Sequence, residues 1–189
     1  MAGLVTADEL VCAIDHAITA TRHRPALSSP DALGEYLAQH GHHAGIVELR
    51  RAAARSRVGA WSPRETVLRL LLVGAGIPEP ELNRSLWLPD GRELIPDLSW
   101  PSYRVAAEYN GIHHDEAGQR EHDLRRIDDF TDIGWVTVNV ERRELSEEPG
   151  AVADRVARRL VERGWRPPHP LRLPRTVGED SRRPADSDN

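Results

Sequence analysis

The stretch Ile95-Pro96-Asp97-Leu98-Ser99-Trp100-Pro101-Ser102-Tyr103-Arg104-Val105-Ala106-Ala107-Glu108-Tyr109-Asn110 decides the fold. Apolar and polar side chains alternate over 92–100 and again over 103–109, the period of half-buried strands, and Pro101-Ser102 marks the turn between them. Asp97 lies in the first of these strands and Glu108 ends the second, so a meander brings the two carboxylates side by side. Their neighbours Ile95, Leu98, Val105 and Ala107 are apolar, and an unpaired ionised carboxylate is costly among them. Metal coordination satisfies such a pair, and oxygen-only ligands suit Mg²⁺ or Mn²⁺. An ion of that kind acidifies bound water and offsets charge that builds up on a phosphate. A second reading stands on the spacing alone: Asp97 caps a turn, and Glu108 pairs with an arginine at the solvent end of its strand.

Working outward, Ser62-Pro63-Arg64-Glu65 opens a helix whose apolar positions are Val67, Leu68, Leu70, Leu71 and Leu72, and which ends at Gly74 to Gly76. Residues 82–88 read as extended, and Pro89-Asp90-Gly91 is a turn between strands. A polar helix is expected over 119–133, a strand over 135–140, and an amphipathic helix over 149–164 with Val152, Val156, Leu160 and Val161 on one face. From residue 62 the order is helix, three strands in meander, helix, strand, helix. Upstream, Thr6-Ala7-Asp8-Glu9 has the form of a capping box before Leu10, Val11, Ile14 and Ile18. Ser29-Pro30 opens a second helix reaching about His40, and a third runs from about Ala44 to Arg57. These divide the chain into a helical region over 1–61, an α/β (α+β) domain over 62–164 with a mixed sheet flanked by helices, and a tail over 165–189. The tail is rich in Pro, Arg, Asp and Ser and reads as disordered. His40, His42 and His43 read as surface histidines in a loop.

Composition narrows the function classes. The formal net charge is −5, and residues 62–145 hold 10 Arg against 16 Asp or Glu, so the bare surface is unsuited to polyanions unless a divalent ion offsets it. All 25 cationic Lys and Arg positions are arginine, so no chemistry here rests on a lysine amine. The single cysteine, Cys12, excludes an intramolecular disulfide and a cysteine zinc cluster. No apolar run of about 20 residues suggests a membrane span. The opening MAGLVTADELVC lacks the basic and apolar parts of a secretory signal, so a cytoplasmic setting is expected.

Several motifs in one order carry a resemblance: Ser62-Pro63-Arg64-Glu65, Gly76-Ile77-Pro78-Glu79-Pro80, Pro96-Asp97-Leu98-Ser99-Trp100-Pro101, Glu108-Tyr109-Asn110-Gly111-Ile112-His113-His114 and Gly134-Trp135-Val136-Thr137-Val138. Over about 62–145 the chain resembles the very-short-patch-repair (Vsr)-endonuclease-like family of bacterial proteins, in the PD-(D/E)XK restriction-endonuclease-like superfamily. That resemblance implies an α-β-β-β-α-β core and Mg²⁺- or Mn²⁺-dependent hydrolysis of DNA. It implies Asp97 as central metal ligand, Glu108 as the second, and Glu65 as an additional acid, although Ser62 and Glu65 also read as a capping box. His113 and His114 would serve as general acid or base or contact the scissile phosphate, against an ordinary reading as loop histidines. Asp123 and Arg126 match the family's D-x-x-R, and as an i, i+3 pair they read as a helical salt bridge. The superfamily's lysine is replaced by Asn110, which keeps an oxygen but loses charge. A non-catalytic DNA-binding, regulatory or antitoxin-type protein built on the same fold is the alternative. The sequence leaves open whether the partner is another protein or a second copy.

Overall fold

The computed structural model describes residues 5–110 and 117–173, without the side chains of 117–123. Three helices come first: α1 (Ala7–Ile18), α2 (Pro30–Gln39) and α3 (Ile46–Arg55). The Thr6 capping box forms, with Glu9 N donating to Thr6 Oγ1 at 3.2 Å and Thr6 N to the Glu9 carboxylate at 2.8 Å. Val11, Ile14 and Ile18 of α1 pack on Ala52 of α3 and on Leu70 of α4 (Pro63–Gly74). Asp15, 1% exposed, accepts from Thr66 Oγ1 at 3.0 Å, Arg69 Nη2 at 3.1 Å and the Arg57 N–H at 2.7 Å. The helical region and α4 therefore share one core, although the sequence changes character at residue 61.

Among the described residues six strands come after α4: β1 (Glu81–Leu82), β2 (Leu86–Trp87), β3 (Glu93–Leu94), β4 (Leu98–Trp100), β5 (Val105–Asn110) and β6 (Val136–Glu141). The main sheet has the order β1-β4-β5-β6, with β1–β4 and β4–β5 antiparallel and β5–β6 parallel. A parallel neighbour requires a crossover, and α5 (Ala117–Asp132) supplies it. The chain ends in α6 (Arg142–Glu147) and α7 (Pro149–Glu162). This is a mixed α+β fold with seven helices among the described residues. No helix among them is long and apolar enough to cross a membrane.

Alternation along β5 sends Val105 and Ala107 to one face and Ala106 to the other. The first face packs against Leu68 and Leu72 of α4 and Val152, Val156 and Leu160 of α7. The second packs against Phe130 of α5 and Leu86 and Leu94 of the hairpin. The sheet is thus covered on both sides, which is why β5 tolerates so little polarity before Glu108.

The strand expected over 92–100 is two strands. Leu94 pairs with Leu86 in a separate hairpin, and Leu98 pairs with Ala107 in the main sheet. Pro96 has no N–H to give a ladder, so the break at 95–97 arises from its chemistry. The tail expected from Trp165 onward does not begin there: Trp165 is 4% exposed within the main core. Gly164 takes φ +100° and ends α7 in a Schellman motif: Trp165 N donates to Leu160 O at 2.9 Å and Gly164 N to Val161 O at 3.0 Å. The residue after such a glycine normally folds back onto the helix, and the same arrangement brings Trp135 against Phe130 after Gly134. Leu171 also packs on the core, and Arg172 N donates to Ala75 O at 2.9 Å.

Candidate acidic site

The β4–β5 ladder pairs Leu98 with Ala107 and Ser99 with Ala106. One further step of that register puts Asp97 opposite Glu108. Asp97 Oδ2 accepts the Tyr109 N–H at 2.7 Å, which ties the start of β4 to the end of β5. Burial pushes the Asp97 carboxyl up to about 7. The Tyr109 N–H works against that rise, the nearby charges of Glu65 and Glu108 add to it, and Arg126 relieves part of it.

Glu108 is 8% exposed and does not stand alone. From α5, Arg126 Nε donates to its two oxygens at 2.8 and 3.1 Å, and Nη2 joins the same carboxylate. Nη2 also donates to Ile95 O at 2.6 Å, and the guanidinium lies over the Phe130 ring, 5.6 Å from its centroid. The arginine partner in the second reading of Glu108 is therefore real. It comes from α5, across the covered face of the sheet. The Asp123 side chain, the other half of the expected helical pair, lies outside the described residues.

Ser62 caps α4 through Glu65 N at 3.3 Å, but the Glu65 side chain does not close the box on Ser62. Its Oε2 accepts instead from Trp61 N at 2.8 Å and from Asn83 Nδ2 at 2.6 Å. Asn83 was not among the expected site residues. Its N–H donates to Asp97 O at 3.0 Å and its Nδ2 also to Gly59 O at 2.8 Å, so it couples Glu65, the 59–61 loop and the backbone of Asp97. The signal for it is local: its φ is +47°, a left-handed conformation that asparagine accepts more readily than most residues.

Asn110, in the position of the missing lysine, ends β5 opposite Glu141 of β6 and is partly buried. His113 and His114 lie outside the described residues. Among the described residues, no three His, Cys, Asp or Glu side chains are arranged as a ready metal cage. An open site is a different matter. Mg²⁺ is commonly held by one or two carboxylates and keeps several waters, and Asp97 and Glu108 supply two at adjoining register positions. Burial is the main cause of the rise at Asp97, and the repulsion from Glu65 and Glu108 that adds to it is what a cation would relieve, so the oxygen donors could take an open divalent ion once Glu108 is available.

Two relatives, both uncharacterized proteins of Mycobacterium tuberculosis from different strains, are each 32% identical to the chain over 117 residues. The match covers 61% of this chain and 43% of each relative, so the chain spans less than half the length of the curated relatives it matches. No family model and no solved structure matches it.

Proposed function

We propose that the chain is a metal-dependent endonuclease-type domain that hydrolyses DNA phosphodiester bonds. The observation that carries this reading is Asp97 facing Glu108 from an adjacent strand, with Glu65 near enough to act on Asp97 and both strand carboxylates drawn out of water by a covered sheet. Its motif order and its element order from α4 through β6 support a restriction-endonuclease-like core.

In this reading Asp97 and Glu108 would hold a Mg²⁺ or Mn²⁺ ion, which when bound would supply positive charge against the phosphate and acidify water. The Tyr109 N–H fixes the rotamer of Asp97, and Asn83 and the Trp61 N–H fix Glu65 beside it. His113 and His114, which come after β5, move a proton or contact the phosphate. The experiment is plasmid nicking with Mg²⁺ and with Mn²⁺, comparing wild type and Asp97→Ala. Cleavage by the wild type alone is expected, and folded wild-type protein inert with both metals refutes the reading. The Arg126–Glu108 pair favours a second one, in which the same fold serves as a non-catalytic DNA-binding scaffold. Stoichiometric DNA binding in EDTA with no cutting when metal is restored would decide for it.

A further inference from the structure

Glu65 and Glu108 both act on Asp97 where β4 begins and β5 ends in the middle of the sheet, and in the metal-free protein something must offset that negative charge. Arg126 is the cation that does so. Its Nε reaches both oxygens of Glu108 and its Nη2 spans Glu108 and Ile95 O, the carbonyl just before Pro96-Asp97. One guanidinium therefore occupies both oxygens of the candidate second ligand. A divalent ion on the same carboxylate would be brought against that guanidinium in a partly buried place, where repulsion is poorly screened.

Arg126 also has somewhere to go. Its side chain is 30% exposed and borders a groove of about 450 Å³ between the β2–β3 hairpin and α5, lined also by Arg92, Glu93, Arg125 and Asp129. The two carboxylates that line it are already engaged, Glu93 by Arg22 and Ser85 and Asp129 by Arg92, so a displaced guanidinium would share them or be held by solvent in the groove.

We propose that Arg126 is an internal placeholder for the divalent cation, neutralising Glu108 while no metal is bound and leaving it when metal binds. The proposal rests on the metal-dependent reading above. It makes Arg126 a positioning residue that acts through Glu108 and sets the threshold at which metal enters.

The test does not require turnover. In wild-type protein labelled with ¹⁵N-arginine, the Arg126 Nε–H resonance, assigned by its loss in Arg126→Lys, is tracked during a Mg²⁺ titration. It is expected to shift as Glu108 is released, and to stay still in Asp97→Asn. Calorimetric titration with Mn²⁺ is expected to show Arg126→Ala binding roughly tenfold more tightly than wild type, because a competing cation is gone, with Arg126→Lys between them. If Arg126→Ala does not fold, the resonance decides. Asp97-dependent metal binding that leaves the Arg126 signal unmoved overturns the placeholder role alone. Absence of Asp97-dependent binding in both wild type and Arg126→Ala overturns it together with the metal-dependent reading.

Discussion

Asp97 faces Glu108 across two antiparallel strands, one register step beyond the Leu98–Ala107 pair, and burial with like charge raises its carboxyl to about 7. Such a group destabilises the fold when ionised, and this sets the direction of its pH effect. Its folded pKa is above the ordinary aspartate value of 3.8, so the folded state holds the proton more tightly than the unfolded chain. That stabilising contribution is full below about pH 4 and is lost as pH rises through 7.

In EDTA the wild type should therefore become less stable between pH 5 and 8, by on the order of 3 kcal/mol at most. Asp97→Asn, which cannot ionise, should lose far less and should exceed the wild type at pH 8. Glu9, Asp90, Glu93 and Glu144 are all held below their ordinary values by hydrogen bonds, so they are ionised throughout this window and contribute no slope. Urea unfolding of both proteins at the two pH values measures the difference. Parallel pH profiles would show that Asp97 is not the group responsible.

A second prediction concerns Asp15 and Arg69, each with a side chain 1% exposed and joined at 3.1 Å. Among the described residues Arg69 Nε has no hydrogen-bond partner, so the guanidinium depends on Asp15, the Arg55 carbonyl and Glu79. Asp15→Ala leaves a buried cation short of its main counter-charge and should cost about 3–5 kcal/mol. Replacing both residues, as Asp15→Leu with Arg69→Met, should cost less than Asp15→Ala alone, because no buried charge remains. Thermal melts of the single and double variants compare the two directly.

Trp165 closes the Schellman turn after α7 and fills the main core, so Trp165→Ala should cost about 3–5 kcal/mol through lost burial and the cavity left behind. A chain stopped after Gly164 should melt well below one stopped after Leu173. Equal melting temperatures would mean that Trp165 only rests on the surface of the core.

Elements whose signal is local were legible in the sequence. The strand at β5, the Thr6 box and the Ser29 and Ser62 caps each needed only a few neighbouring residues, and each formed, although β5 is buried on both faces where alternation suggests a half-buried strand. The carboxylate pair was legible because a short turn leaves two strands little choice of register. What stayed hidden depended on distant partners. Arg126 was legible through its D-x-x-R match but as a partner for Asp123; its pairing with Glu108, eighteen residues back, was not, because the packing of Phe130 under the sheet brings the crossover helix there. Asn83 reaches Glu65 because the turn after β1 meets the first turn of α4, which no periodicity reports. The helix α6 was overlooked for another reason. With six residues it is too short for a hydrophobic stripe, and it is pinned from outside by the Arg155–Glu144 pair at 2.7 Å.

Asn83 gives the last prediction, because its backbone and its side chain can be separated. At φ +47° an alanine is strained whereas a glycine is not, so Asn83→Gly keeps the turn and removes only the amide that holds Glu65 and Gly59 O. Asn83→Ala removes the amide and adds strain of about 1 kcal/mol. If the tether on Glu65 serves the acidic site, both variants should nick plasmid roughly tenfold more slowly and bind Mn²⁺ more weakly, a loss on the scale of one hydrogen bond to a charged group. Both should melt below wild type for the lost amide bonds, and Asn83→Ala lower still by the added strain. Asn83→Gly with wild-type nicking and wild-type Mn²⁺ affinity would mean that Glu65 acts without its tether. Normal Mn²⁺ affinity with slow nicking would instead place Glu65 on the water or the phosphate, apart from the ion itself.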